Sequence, residues 1–278
     1  MSVTINTNIS SIAATRSLHE TNASLSQAME RLSSGKRING AKDDAAGMTV
    51  VTRMKAQITS LNQAVRNAND AISLISTYDG AADEIETILI RMRELATLAQ
   101  NDTYTTQDRT NANLEYSQLV NEIDRIATKT KFNGEKALFS ATGNITYSFQ
   151  VGFSSDEAVS ISLASLSATV LNGGASAPAA ITSIALAASA LAEADVALKN
   201  LNSGRAVAGA MINRLEHTVS NLMNVVQRTE EARSRIEDAD FAVESAALAR
   251  ANVLTQAGSA MLAQANQAPT YVLALLRS

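Results

Sequence analysis

Apolar residues recur along most of this chain at alternating steps of three and four, the spacing that places side chains on one face of an α-helix. The longest regular run is Met54, Ile58, Leu61, Val65, Ala68, Ile72 and Ile75. A run of this length predicts a long helix with a coiled-coil seam. Asp79 and Gly80 interrupt the run, and the apolar spacing resumes in a shifted phase at Ile85. The pattern therefore predicts a long helical stretch whose seam is broken near residue 79.

The next segment predicts a helix and then a change to strands. Thr105 and Asp108 have the spacing of a capping box, so a new helix is expected to begin there and to reach about Ile126. Asn133-Gly134 then predicts a type I′ hairpin turn, because both residues tolerate positive φ. Two alternating runs follow, Ile145, Tyr147, Phe149 and Val151, then Val159, Ile161 and Leu163. Strict alternation with turn residues between the runs predicts a small antiparallel hairpin region, about residues 131–166.

Residues 167–183 are rich in Ser, Ala and Gly and are interpreted as a short variable linker. Helical periodicity returns near residue 185. Its seam is carried by residues separated by multiples of seven, namely Leu215, Leu222, Ile236 and Val243. The order of elements predicts a mainly α fold, a long antiparallel helical bundle or coiled coil with a small β-hairpin region.

Both ends of the chain also carry apolar seams. Residues 4–34 form one predicted amphipathic helix, and the last stretch forms another. The seam residues that we select as an assembly interface are Ile5, Ile9, Ile12, Leu25, Leu32, Leu254, Met261, Val272 and Leu275. Such seams must pair with each other or with copies on neighbouring molecules. The pattern thus predicts paired N- and C-terminal helices and points to a polymer subunit rather than an enzyme.

Composition narrows the function further. Hydrophobic residues make up 46% of the 278 residues but aromatic residues only 4%, which suits helix seams better than an aromatic core. The net charge of −4 gives no basic stripe for nucleic acid. The chain has no Cys, and its two histidines, His19 and His217, form no metal-binding or catalytic pattern. We expect no cofactor, no catalytic or metal site, no membrane insertion and no cleaved signal peptide.

Three short segments have local interpretations. Ser33-Ser34-Gly35-Lys36 lacks the other residues of a phosphate-binding loop, so Gly35 is interpreted as a helix C-cap. Asp43-Asp44 is expected to favour the start of the following helix. The acidic cluster around Glu237 is expected to pair with Arg233, Arg235 or a basic residue of a neighbour.

Several longer segments resemble the bacterial flagellin family. They are LSSGKRINGAKDDAAGM at 32–48, RMRELATLAQND at 91–102, NEIDRIA at 121–127, FNGEKAL at 132–138 and the whole stretch from Ile236 to the C-terminus. The resemblance covers both terminal regions and the inner helices, and residues 167–190 lack a clear match. Paired motifs of this length, in order at both ends, are very specific.

The resemblance implies a filament architecture. Residues 1–45 and 236–278 would form an inner layer of terminal helices that orders on assembly. Residues 46–180 and 181–235 would form a rod-like helical domain, in a short form without large outer domains. The family implies a helical homopolymer outside the cell, exported through the flagellar type III apparatus. It also implies an export chaperone, a filament cap and hook-junction proteins as partners.

The resemblance also implies a possible immune-receptor contact, and it leaves alternatives open. Arg91, Leu95 and Glu115 match positions through which some flagellins contact Toll-like receptor 5, although Leu98 stands where those proteins usually carry Gln. In the competing interpretation Leu95 is partly core and Arg91 contacts an adjacent subunit. The alternative functions are a hook–filament junction protein and a flagellin-like surface-binding protein or adhesin.

Overall fold

The computed structural model describes residues 7–134, 136–137, 143–154, 156–172 and 180–275, with the backbone alone at 136–137 and 268–275. Helices dominate the described residues, as the periodicity predicts. In chain order the elements are α1 (Ile9–Ser34), α2 (Ala45–Ala99), α3 (Thr106–Lys129), β1 (Lys131–Phe132), β2 (Lys136–Ala137), β3 (Ile145–Gln150), β4 (Ala158–Leu163), α4 (Ala168–Leu171), α5 (Ile184–Glu237) and α6 (Phe241–Leu275). None of the helices in the described part of the chain is long and apolar enough to cross a membrane.

The chain divides into two compact units. The terminal unit contains the residues up to Ile58 and those from Gln227 onward, and the central unit contains Thr59–Val226. The sequence-based division at residues 45 and 236 therefore lies closer to the chain ends than the division by contacts. The assignment of the two terminal segments to an inner layer stays a prediction.

In the central unit, the seam of α2 continues without a break past Gly80, so the predicted interruption at residue 79 is wrong. Tyr78 and Ala82 are both fully buried and carry the seam across this point. The buried positions keep alternating steps of three and four: Leu61, Ala64, Ala68, Ala71, Ile75, Tyr78, Ala82, Ile85, Leu89, Met92, Ala96 and Ala99. Six of these residues are alanines, which a search for large apolar side chains overlooks.

Asp79 lies on the flank of this seam and connects α2 to α5 within the central unit. The Arg205 guanidinium bonds the Asp79 carboxylate at 2.9 Å and the Asp83 carboxylate at 3.1 Å, and it also pairs with Glu86. The hydrogen bond to Asp79 is the largest effect raising the pKa of Arg205. Residues that interrupt the apolar pattern in the sequence therefore hold the two helices together.

The capping box at the start of α3 is confirmed. The Thr105 side chain accepts a hydrogen bond from the Asp108 backbone N–H, and the Asp108 carboxylate accepts one from the Thr105 backbone N–H. Helix α3 packs through Tyr116 and Ile123, which are buried, whereas Leu114 is exposed and lies outside the core.

Both predicted hairpins exist. Asn133 and Gly134 have φ of 53° and 77°, as a type I′ turn requires. The pairing of Phe132 with Lys136 nevertheless leaves three positions between β1 and β2, so the two-residue turn is wrong. In the second hairpin Ile145, Tyr147 and Phe149 lie opposite Leu163, Ile161 and Val159. The buried face of β4 belongs to the helical core of the central unit.

The predicted linker at 167–183 is partly ordered core, which corrects the interpretation of this segment. Ser167 caps the short helix α4, whose Ala168 and Leu171 are buried, and Ile181 is fully buried farther along. Residues 173–179 lie outside the described part of the chain.

In the terminal unit, local caps set the ends of the helices. Gly35 has φ of 69° and ends α1, which confirms the predicted C-cap. Asp44 accepts a hydrogen bond from the Gly47 backbone N–H at the start of α2, while Asp43 accepts from Asn39 and Gly40 in the preceding loop. Those two backbone bonds lower the pKa of Asp43.

The seam predicted to run from Leu215 to Val243 is interrupted between α5 and α6. Helix α5 ends at Glu237, and the Asp240 carboxylate accepts from the Ala242 and Val243 backbone N–H groups at the start of α6. Because a new helix begins there with a new phase, Val243 lies on the surface rather than in the seam.

Candidate assembly interface

Helices α1 and α6 pair in antiparallel orientation within the terminal unit. The Asn8 side-chain amide donates to the Ala265 carbonyl at 2.7 Å near the start of α1. Toward the other end, Arg31 donates to the Glu244 carboxylate at 2.9 Å. Rising residue numbers on α1 thus meet falling numbers on α6, and the predicted pairing of the two terminal helices is confirmed.

We name the contact face between α1 and α6 the inner seam. On α1 its positions are Ser11, Ala14, Leu18, Thr21, Leu25, Ala28 and Leu32, and on α6 they are Glu244, Leu248, Ala251, Thr255, Gly258, Leu262 and Ala265. Small residues let the backbones approach: a Cβ added at Gly258 would lie only 3.2 Å from Leu18 Cδ1. The small and polar residues alternate with leucines, namely Leu18, Leu25 and Leu32 on α1 and Leu248 and Leu262 on α6.

Charged groups fix one end of the pair. Glu237 is buried and lies 2.6 Å from the Lys36 ammonium, with the Arg233 guanidinium at 3.7 Å. The backbone joins the same place, since Arg37 N–H donates to the Glu237 carbonyl and Ala239 N–H donates to the Gly35 carbonyl. A carboxylate buried to this degree requires such partners. The expected pairing of Glu237 with Arg233 is present, and Lys36 is an additional partner.

The predicted assembly residues fall into three groups. Ile9, Ile12, Leu254 and Met261 point to the surface, with exposed fractions of 71%, 64%, 50% and 65%. Leu25 and Leu32 instead lie half-buried on the inner seam, within the chain. Ile5 lies outside the described residues. Val272 and Leu275 lie in the part of α6 for which only the backbone is described.

On α6 the two exposed assembly residues, Leu254 and Met261, belong to a second row, which we name the outer row. Its members are Val243, Ala247, Arg250, Leu254, Ala257 and Met261, each one residue before a position of the inner seam. Single exposed apolar side chains are normal in proteins. Leu254 and Met261, both exposed and seven residues apart, instead have the spacing that is typical of a helix-packing face.

The residues proposed for receptor contact are only partly on the surface. Arg91 donates to Glu115 at 2.8 Å and to Glu94 at 3.0 Å, and the bond to Glu115 is the largest effect raising the pKa of Arg91. Leu95 is only 4% exposed and packs in the core of the central unit. Leu95 therefore cannot form a surface contact in this conformation, which corrects that part of the prediction.

The structure also identifies residues that the sequence interpretation missed. Arg31 and Glu244 bond α1 to α6, and Lys36 bonds Glu237 at the end of α5, although none of the three is apolar. The opposite charges of Arg31 and Glu244 could have indicated this pair, because both residues are in phase with the inner seam. Arg31 lies three residues after Ala28, and Glu244 lies seven residues before Ala251. Within the described part of the chain, no group of three or more His, Cys, Asp or Glu side chains could hold a metal ion.

These features define a class of protein. It is a mainly helical protein whose terminal helices pair through a seam of leucines and of small or polar residues. That pairing leaves large apolar side chains, among them Leu254 and Met261, exposed on α6. Its functional surface is therefore suited to association with other helices.

Comparison with known proteins identifies the family. Residues 5–143 match the bacterial flagellin N-terminal helical region, and residues 191–276 match the bacterial flagellin C-terminal helical region. Flagellin of Halalkalibacterium halodurans is 47% identical over 251 residues, which cover 90% of this chain and 91% of that protein. Flagellin of Listeria monocytogenes is 38% identical over 285 residues, covering 99% of each chain. The chain belongs to the bacterial flagellin family and is a structural subunit of the flagellar filament used for motility.

A solved structure shares the fold. A putative flagellar hook-associated protein from Vibrio parahaemolyticus superposes with a TM-score of 0.58 at 13% identity, covering 70% of this chain and all of that one. At this identity the likeness concerns the fold alone.

Proposed function

We propose that the outer row of α6, together with Ile9 and Ile12 of α1, forms the contact between subunits in the filament. The observation that carries this proposal is the exposure of Leu254 and Met261, two large apolar side chains at a seven-residue spacing on a helix whose inner seam is already occupied. Val272, Leu275 and Ile5 extend the same terminal segments and are included in the proposed interface. Leu25 and Leu32 contribute indirectly, because they hold α1 against α6.

The energetics favour a repeated contact. Fully burying one leucine or methionine side chain contributes about 1.5–3 kcal/mol, whereas association costs about 4–15 kcal/mol in lost freedom. One residue pair is therefore insufficient, and several rows on each subunit must be covered together. Contacts between different surfaces of identical subunits do not have to close into a ring, so they can generate an open helical filament.

The remaining segments have proposed places in this assembly. Residues 1–45 and 236–278 form the inner layer, and residues 46–180 and 181–235 form the wall of a filament without large outer domains. Export proceeds through the flagellar type III apparatus without a cleaved signal peptide. The export chaperone, the filament cap and the hook-junction proteins are the proposed partners during growth.

Two narrower proposals concern other surfaces and roles. The exposed pair Arg91 and Glu115 is the part of the receptor-contact prediction that still offers a surface to Toll-like receptor 5. A reporter-cell assay with soluble subunit tests it, and no signal at saturating dose would remove it.

Identities of 47% and 38% to proteins named flagellin favour a filament subunit over a hook-junction protein or an adhesin.

The assembly proposal is tested by placing a charge in the outer row. Leu254→Asp is compared with Gln256→Asp, which adds the same charge at an exposed polar position two residues along α6. Filament growth from seeds is followed by sedimentation and electron microscopy, and helix content by circular dichroism. Leu254→Asp should raise the critical concentration at least about tenfold, since a buried unpaired carboxylate is strongly unfavourable. Gln256→Asp should change it far less.

Two results would count against the proposed interface. Normal filaments from Leu254→Asp would show that Leu254 is not covered on assembly. Equal loss of growth in both variants would show that charge anywhere on α6 is sufficient, and that the outer row has no special role. Unchanged circular dichroism in both soluble variants is the control for folding.

A further inference from the structure

The outer row contains a side chain that can be chemically modified. Met261 is 65% exposed, and Met223 on α5 is similarly exposed at 59%. Their surroundings differ. On the helix face of Met261, Ala257 and Leu254 lie four and seven residues earlier in the chain. On the helix face of Met223, the exposed polar residues Ser220 and Glu216 lie three and seven residues earlier. Met29 on α1 likewise follows the exposed polar residues Asn22 and Ser26.

We propose that the Met261 thioether is an oxidation site through which peroxides stop the free subunit from assembling, an inference that rests on the assembly interface proposed above. The Met261 sulfur attacks one oxygen of hydrogen peroxide, and the O–O bond breaks. That oxygen is transferred to sulfur, giving methionine sulfoxide, and the other leaves as water. Sulfur is oxidised by two electrons and the peroxide is reduced by two.

The position of Met261 determines the consequence. In the free chain the sulfoxide oxygen is solvated, because Met261 is exposed and lies outside the inner seam. In a subunit contact the same oxygen would be removed from water beside Leu254 and Ala257, which offer no hydrogen-bond donor from their side chains. Burying a polar group without a partner is unfavourable. The oxidised subunit therefore keeps its central unit folded and fails to join the filament.

The same geometry predicts when oxidation acts. A sulfur that is covered in the subunit contact is shielded from peroxide once the filament has formed. Met223, which we place outside the proposed interface, serves as the exposed reference in both states. Oxidation of Met261 therefore controls addition of new subunits and leaves existing filaments intact.

The test treats the soluble full chain with a series of hydrogen peroxide doses, removes the peroxide with catalase, and adds filament seeds. Peptide mass spectrometry gives the sulfoxide fraction at each methionine, and sedimentation gives the critical concentration. The variants are Met261→Leu and, as the matched control, Met223→Leu. We expect oxidation to raise the critical concentration of the wild type and of Met223→Leu at least about tenfold, because a buried sulfoxide lacks a partner. Met261→Leu should keep its untreated value.

Three results would overturn the inference. One is an equal loss of growth in oxidised Met261→Leu. Another is normal growth of wild type whose Met261 is fully converted to sulfoxide. If untreated Met261→Leu itself grows poorly, the dose series in the wild type decides: growth must decline with the sulfoxide fraction at Met261, and a decline that follows Met223 instead refutes the inference. Failure of untreated wild type to elongate seeds refutes the underlying assembly proposal, and it is distinguishable because no oxidant is involved.

Discussion

Two buried tyrosines should make the central unit sensitive to alkali. Tyr78 of α2 is fully buried and Tyr116 of α3 nearly so. Burial raises the pKa of each hydroxyl from an ordinary 10.0 to about 12, and the negative charge of a neighbour, Asp79 or Glu193, adds to the effect. Ionisation of either tyrosine within the folded core is therefore unfavourable.

The sign and size of the effect follow from linkage. Because the folded-state pKa of each tyrosine exceeds the unfolded value, the unfolded chain loses its proton first as pH rises. The contribution to stability is complete below pH 10, declines between pH 10 and about 12, and is lost above that range. A pKa difference of about two corresponds to roughly 3 kcal/mol per tyrosine, at about 1.4 kcal/mol per pKa unit. Typical domains are stable by only about 5–15 kcal/mol, so the loss is measurable.

Urea unfolding followed by circular dichroism, at mildly alkaline pH and at steps between pH 10 and 12, measures this loss. Tyr78→Phe and Tyr116→Phe should each reduce the decline in unfolding free energy across that range by roughly 3 kcal/mol. Tyr104→Phe is the control, because Tyr104 is exposed and all other titrating groups are shared. The reasoning fails if Tyr78→Phe loses as much stability between pH 10 and 12 as the wild type does.

Two further predictions concern local structure. Ile161→Ala, at a fully buried position of β4, should lower the free energy of unfolding by about 2–5 kcal/mol, while exposed Ser160→Ala should change it by under about 0.5 kcal/mol; equal urea midpoints would show that the hairpin is not part of the core. Asp108→Ala should destabilise α3 near neutral pH, because hydrogen bonds from the Thr105 side chain and backbone lower the pKa of Asp108 in the folded state. That stabilisation is present above the unfolded pKa and is lost as pH falls through the folded one, so thermal melts of variant and wild type should converge in acid.

Helix ends were predictable because they depend on neighbouring residues. Gly35 needs only its own positive φ to end α1, and Thr105 with Asp108 completes a capping box within one turn. The strands β3 and β4 were predictable for the same reason, because the alternation of residue types shows which side chains share one face. Each of these features is decided within a few residues of sequence.

The ordered part of the predicted linker was not predictable in this way. Its backbone is held by polar side chains from helices that are distant in sequence. Asp124 accepts from the Ala168 N–H, Asn113 accepts from the Ile181 N–H, and Asn200 donates to the Leu171 carbonyl. A segment of Ser, Ala and Gly appears structureless until these partners are known. Tertiary hydrogen bonds, rather than local propensity, fix its conformation.

The spacing of apolar residues also could not predict which face of α6 meets α1 and which face stays exposed. Leu254 and Met261 of the outer row and Thr255 and Leu262 of the inner seam repeat with the same period and differ in phase by one residue. Periodicity therefore identifies a helix that packs on two sides without showing which side meets α1. Residue size decides it: Gly258 and Ala251 permit the close approach of α1 that larger residues would prevent. Leu254 and Met261, one residue earlier in phase than the inner seam, are then left exposed on the neighbouring face of α6. This exposed face is the one that we propose to meet other subunits.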